Sequence, residues 1–177
     1  MPASPAPWRH CRTDTPLGPM TLARTAQGLC GAWFVAEQKH APPPERFSPE
    51  AHSPEDPVLG LAAEQLQAYF HGRLQAFDVP LDLSAGTAFQ QAVWQALLHI
   101  PQGQTDSYLA PASALGKSSA TRAVGAAVGR NPVSIIVPCH RVLGSTGQLT
   151  GYAGGLWRKQ ALLQLEGQSL FRRRPVP

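Results

Sequence analysis

The chain has 177 residues, enough for one or two small domains with a real hydrophobic core. No early basic stretch leads into an apolar run, and no run is long enough to cross a bilayer, so a soluble, cytoplasmic protein without a membrane partner is expected. Three cysteines, an odd number with no paired spacing, argue against a disulfide framework and for a reducing compartment where a free thiol stays usable.

Charge divides unevenly. Residues 1–86 hold six Lys/Arg against nine Asp/Glu, whereas residues 87–177 hold nine Lys/Arg against Asp106 and Glu166 alone. A basic second half suits a polyanionic partner such as nucleic acid. A merely solubilising basic surface, including the Arg172-Arg173-Arg174 tail, reads the same way from charge alone.

Residues 1–10 are rich in Pro and Ala and are predicted to be disordered. A turn at Thr15–Pro19 precedes two strands, Met20–Arg24 and Leu29–Val35, joined by a hairpin turn at Gln27-Gly28. Six prolines within residues 41–57 mark an irregular connection. Leu59–His71 has amphipathic helical spacing, with Leu59, Ala62, Ala63, Leu66 and Phe70 on one side and Gly72 past its end. Val79–Leu83 is predicted as a further short strand. These elements make an α+β unit over residues 1–86.

The character changes around Ser84-Ala85-Gly86. Phe89–Ile100 is predicted as a helix, stopped by Pro101. Ser107-Tyr108 opens a short helix running to Leu115-Gly116, and Ser118-Ser119 can cap a second, Ala120–Val128. Helix, glycine turn and helix in a basic domain is a helix-turn-helix pattern, although an ordinary helical hairpin has the same signature. The second helix is built of small residues that permit close approach to a helix or a groove, and Arg122 is its one charge. Gly144–Gly155 is a glycine-rich loop without the signature of a phosphate or dinucleotide site. Leu156–Glu166 closes the chain as a helix packing through Leu162, Leu163 and Leu165, with Gly167 as its cap. Glu166 is misplaced there, because the helix dipole opposes a C-terminal carboxylate by about 0.3–1 kcal/mol. A compensating partner such as a histidine is expected.

Chemistry concentrates in Ile135–Val142. An apolar run, a buried strand or core segment, ends at Pro138, and Cys139, His140 and Arg141 follow. A thiol with a pKa of about 8.5 needs help to ionise at neutral pH. Arg141 supplies positive charge and a histidine can accept the proton, directly or through water. A cysteine in such a place is also commonly just a small buried hydrophobe. No metal site stands out, since Cys11, Cys30 and Cys139 are far apart and Cys139 and His140 are adjacent.

Arg122-Ala123-Val124-Gly125, Asn131-Pro132, Pro138-Cys139-His140-Arg141-Val142, Gly151-Tyr152-Ala153-Gly154-Gly155 and Leu165-Glu166-Gly167 together closely resemble the O6-alkylguanine-DNA alkyltransferase family. The resemblance covers residues 87–167 in order, and residues 15–40 more weakly. It implies a small RNase H-like α/β domain over 1–86 and a helical, winged helix-turn-helix-like domain over 87–177. The implied activity is that of a methylated-DNA–protein-cysteine S-methyltransferase, which acts once and as a monomer. It moves an alkyl group from O6-alkylguanine, and also O4-alkylthymine, in double-stranded DNA to Cys139.

By the same resemblance His140 is the base through a water, Glu166 orients it, and Tyr108 contacts the flipped base and assists its departure. Arg122 fills the gap in the base stack, and Asn131 braces the turn carrying the cysteine. Val128 and Tyr152 line the base pocket, and backbone near Val142 and Ala153 reads the guanine edge. Entry is through the minor groove, and base flipping costs a few kcal/mol. No cofactor is implied, and the zinc ligands of some relatives are not matched here. Leu109-Ala110-Pro111 and Thr121 depart from the family pattern and bear on DNA affinity. Two rivals remain: a non-catalytic sensor of alkylated DNA, which would lack the nucleophile, and a Cys-His hydrolase, which would turn over.

Overall fold

The computed structural model describes residues 7–168, so the Arg172–Arg174 tail and most of the Pro/Ala-rich start lie outside the described residues. Three strands, β1 (Arg9–Thr13), β2 (Met20–Arg24) and β3 (Leu29–Phe34), form an antiparallel sheet in that order. β1 corrects the expectation of disorder through residue 10. Alternation in Arg-His-Cys-Arg-Thr is too polar to signal a strand, yet His10 and Cys11 are buried against the sheet. The β2–β3 turn is closed by Thr25 N–H donating to Gly28 O at 3.0 Å, with Gly28 at φ 155°.

The proline-rich connection holds two single 3₁₀ turns, Pro44–Arg46 and Pro49–Ala51, and is tied to β1 by Ser53 N–H donating to His10 O at 2.8 Å. Helix α1 (Pro57–Phe70) starts two residues earlier than its apolar pattern. Pro57 occupies the first turn, and the Asp56 carboxylate accepts from Val58 N and Leu59 N. Gly72, at φ 69°, ends it in a Schellman arrangement, with Arg73 N donating to Ala68 O and Gly72 N to Tyr69 O. Leu59, Ala62, Leu66 and Tyr69 form its buried stripe.

Val79–Leu83 is not a strand. It makes one bridge, Leu29 to Leu81, because Pro80 can offer only its carbonyl to Leu29 N (2.8 Å) before Asp82 N donates back to Leu29 O. Further along the same strand, Ala32 N donates to Pro132 O at 2.9 Å and Ser134 N to Ala32 O at 3.0 Å. The outer edge of β3 is therefore covered by two later pieces of chain, which removes an exposed edge. It also pins residues 132–134, just ahead of Cys139, to the first-half sheet.

Helix α2 (Ala88–Leu97) begins with a capping box between Thr87 and Gln90, and a turn over Leu98–Ile100 follows it before Pro101. Helix α3 (Leu109–Ala114) and helix α4 (Thr121–Gly129) are joined through Gly116 at φ 66°. Ser118-Ser119 do not cap α4; they lie in a 3₁₀ turn, Ser118–Ala120, that leads into it. Two short parallel strands, β4 (Asp106–Ser107) and β5 (Val142–Leu143), flank the pair. α5 (Leu156–Leu165) closes the described chain. Leu165 is exposed on it, whereas Arg158 and Lys159 are buried, a correction to the expected packing face.

One contiguous core runs from Leu22, Leu29 and Phe34 through Leu66 and Tyr69 to Val93, Trp94, Ile135 and Leu162. Arg158 fastens the two halves further. Its guanidinium donates to Leu17 O, Ala36 O and Gly154 O at 2.9–3.0 Å and lies 4.1 Å over the Phe34 ring.

Candidate active site

Ile135–Val137 is core but not a strand. Val137 N donates to Val133 O at 3.0 Å, and Ile135 is held at φ 74°, a costly conformation for a β-branched residue. The chain turns tightly again as Cys139 N donates to Val137 O at 2.8 Å, and Cys139–Arg141 form a single 3₁₀ turn. Asn131 spans this construction. Its Oδ1 accepts from Val133 N at 2.9 Å, and its Nδ2 donates to Val137 O at 2.8 Å and to Cys139 Sγ at 3.1 Å.

The sulfur lies on the wall of a pocket of about 180 Å³ lined by Tyr108, Gly125, Val128, Tyr152 and Ala153, with Lys39 and His40 at its first-half side. That is smaller than the roughly 300 Å³ at which drug-sized sites begin, and suits one ring system. The lining is built from small residues where rings must fit. A Cβ on Gly125 would meet the Tyr108 ring at 3.7 Å, and one on Gly154, next to the lining, would meet the Tyr152 ring at 2.8 Å. Tyr108 Oη and Thr150 Oγ1 share a hydrogen bond of 3.1 Å.

Behind the sulfur, His140 is fully buried and its Nε2 lies 2.7 Å from Glu166 Oε1. Burial pushes the Glu166 carboxyl up, but the hydrogen bonds from His140 and Arg141 outweigh it and hold the group at about 2. Facing a charged carboxylate, Nε2 carries the proton, so Nδ1 keeps its lone pair. Nδ1 is buried without a hydrogen-bonding partner in the protein. Burial also lowers the His140 pKa against the pull of Glu166, which leaves a neutral imidazole at pH 7. The misplaced carboxylate thus has the histidine partner its position calls for, together with Arg141.

Arg141 does not play the part expected of it. Its Nε and Nη2 donate to Glu166 at 3.0 and 2.9 Å and its Nη1 to Ile100 O at 2.6 Å, so its charge serves the carboxylate. The cation that favours the Cys139 thiolate is Lys159. Burial raises the Cys139 pKa, opposed by the Asn131 hydrogen bond and then by the Lys159 charge. Lys159 Nζ is buried, donating to Val142 O (2.6 Å), Thr150 O (2.9 Å) and Gly151 O (3.4 Å), and burial lowers its pKa to about 8. The signal for it was present: Lys159, Leu162, Leu163 and Glu166 fall at i, i+3, i+4 and i+7 on one helix face.

Val142 is fully buried and does not line the pocket, and its carbonyl is taken by Lys159, so that carbonyl is not open to a base edge, contrary to expectation. Ala153 O accepts from Lys39 N at 2.7 Å. Arg122 is exposed on α4 and lines a groove with Ser107, Leu109 and Ser145 that shares Tyr108 and Gly125 with the Cys139 pocket. Tyr69, Lys39, His40 and Thr150 were not foreseen, since nothing local in their sequence distinguishes them. Among the described residues no three His, Cys, Asp or Glu side chains gather as a metal site, and no helix is long and apolar enough to cross a membrane.

Two family models cover consecutive parts of the chain. The ribonuclease-like domain of 6-O-methylguanine DNA methyltransferase matches residues 10–83, and its DNA-binding domain matches residues 88–168. The methylated-DNA–protein-cysteine methyltransferase of Mycobacterium tuberculosis strain H37Rv is 50% identical over 158 residues, covering 89% of this chain and 92% of the relative. That of Methanosarcina barkeri is 45% identical over 157 residues, covering 89% and 96%. The crystal structure of Mycobacterium tuberculosis OGT in complex with DNA is similar with a TM-score of 0.80 at 49% identity, covering 89% of this chain and 92% of that one. With both halves matched in order and half of the aligned residues identical, the chain belongs to the 6-O-methylguanine DNA methyltransferase family.

Proposed function

We infer that this protein repairs DNA by taking the alkyl group of O6-alkylguanine, and of O4-alkylthymine, from duplex DNA onto Cys139 Sγ. The observation that carries this is the placement of one sulfur on the wall of a pocket of about 180 Å³, with a neutral histidine and a charged carboxylate buried behind it. The thiol proton passes to His140 Nδ1 through a water as the S–C bond forms and the C–O6 bond breaks. The guanine leaves as its keto form, taking up a proton with help from Tyr108. Lys159 and Asn131 steady the developing thiolate.

The base reaches the pocket by flipping from the minor-groove side, with Val128 and Tyr152 as its walls and backbone near Ala153 reading its edge. Arg122, on the exposed face of α4, fills the stack. Residues 1–86 serve as a supporting unit and residues 87–177 as the DNA-binding and transfer unit, in a monomer. The buried free thiols Cys11 and Cys30, like Cys139, suit a reducing cytoplasm.

The product is a thioether whose carbon is not activated by any neighbouring group, and residues 129–160 contain no second cysteine. The protein therefore acts once. Incubation with excess O6-methylguanine duplex, read by intact-protein mass, should plateau at about one methyl per active chain, on the Cys139 peptide. Cys139→Ser should bind the duplex and gain nothing. Turnover past the plateau would favour a hydrolase, and binding without any mass gain in the unmodified protein would favour a sensor.

A further inference from the structure

Glu166 Oε1 accepts three hydrogen bonds: from His140 Nε2 at 2.7 Å, from Arg141 Nη2 at 2.9 Å, and from the Tyr69 hydroxyl at 2.7 Å. Tyr69 belongs to α1, in the other half of the chain. It is fully buried, with its ring between Phe70 (5.3 Å, edge-on) and Phe77 (5.5 Å), so the hydroxyl is held in place by packing. No other side chain among residues 7–86 donates to this carboxylate.

We propose that Tyr69 is a positioning residue for alkyl transfer: the first half of the protein sets the aim and basicity of the Cys139–His140–Glu166 relay through the Tyr69 hydroxyl. The proposal rests on the relay reading given above.

The chemistry is specific. A carboxylate oxygen has limited lone-pair capacity, and Tyr69 shares Oε1 with the imidazole. Each donor on that oxygen disperses its charge, so Tyr69 tempers how strongly Glu166 stabilises a protonated His140. It also fixes the torsion of the carboxylate, since Arg141 alone holds Oε2. The phenol remains a donor throughout, because burial and then the Glu166 charge raise its pKa well above the ordinary value. The other ionisable groups around this cluster are His140 and Arg141 on the 3₁₀ turn, Lys159 two turns earlier on α5, and Tyr152 from the pocket wall. None of these comes from the first half.

A buried tyrosine with a satisfied hydroxyl can be purely structural, so the test must read proton transfer. Single-turnover transfer from O6-methylguanine duplex is measured against pH in the full chain for wild type, Tyr69→Phe, Glu166→Gln and a chain carrying 3-fluorotyrosine at position 69. Tyr69→Phe keeps the ring and its packing. It should slow transfer about threefold to tenfold, the worth of one ordinary hydrogen bond. Its acid limb should move to higher pH by about half a unit, because a less tempered carboxylate makes His140 more basic. Fluorotyrosine, a stronger donor of nearly the same shape, should move the limb the other way, and it secures the test if the Phe variant folds poorly. Duplex binding should be unchanged in both.

A rate loss uniform across pH, or limbs that stay in place for both position-69 variants while Glu166→Gln displaces its own, would overturn the role of Tyr69 alone. An unmoved profile in Glu166→Gln as well would overturn the relay and the proposal with it.

Discussion

Asn131 Nδ2 and Cys139 Sγ lie 3.1 Å apart, and the same amide nitrogen holds the Val137 carbonyl at 2.8 Å. One side chain therefore both closes the turn that presents the sulfur and donates to it. Asn131→Ala would strand the buried Val133 N–H and leave the Val137 carbonyl with Cys139 N alone, at a cost of about 1–3 kcal/mol. Asn131→Asp would keep the shape but aim an unpaired oxygen at the sulfur, so it should slow transfer at least about tenfold by opposing the thiolate. Denaturant melts and single-turnover rates measure the two effects separately. An alanine variant as stable as wild type would mean that the turn closes without Asn131.

Arg122 does not line the Cys139 pocket but an adjoining groove on the exposed face of α4. Arg122→Ala should accordingly weaken reaction with methylated duplex by about tenfold or more while leaving reaction with free O6-benzylguanine nearly unchanged, since a free base needs no extrusion. Equal losses on both substrates would place Arg122 in the pocket's own support.

Lys159 sits in the core with three carbonyls around its ammonium. Lys159→Met retains the stem but leaves those oxygens unpaired, and should destabilise the fold by about 2–4 kcal/mol. It should also raise the pKa of the Cys139 thiol, read by the pH dependence of a small alkylating reagent, because the cation opposing the burial of the thiolate is gone. A thiol titration like that of wild type would confine Lys159 to packing.

Stability should fall as the solution is acidified, in two stages of the same sign. His140 is held below its ordinary pKa, so below about pH 6.5 the unfolded chain takes up a proton that the folded chain refuses. Glu166, held at about 2 in the fold, contributes stability that is full above roughly pH 4.3 and is lost as pH drops toward 2. That stage is worth on the order of 3 kcal/mol. Glu166→Gln should abolish the second stage. A Tm independent of pH between 7 and 3 would show that the pair is not the buried, charged-and-neutral couple described here.

The contrast between local and long-range information is plain in particular elements. Helix α1, the β2–β3 hairpin, α2 and α5 follow from apolar spacing and their stop signals, because those patterns act within a few residues. Cys139, His140 and Glu166 were identifiable from residue type, Pro138 and the awkward helix-end charge. By contrast, β1 was hidden, since two arginines and a histidine in five residues mask its pairing to β2. Val79–Leu83 looked strand-like but only bridges, because a proline in its middle has no N–H to offer the ladder.

The sequence by itself determined the family motifs, the candidate nucleophile and the basic second half. Only the tertiary structure decided that Arg141 serves Glu166 while Lys159 serves Cys139. Likewise, only the folded chain brings Tyr69, 97 residues away, onto the Glu166 carboxylate. The physical reason is common to all three. A charged or hydroxyl side chain is costly to bury alone, so its role is set by whichever partner the packed core delivers to it, and no local pattern records that partner.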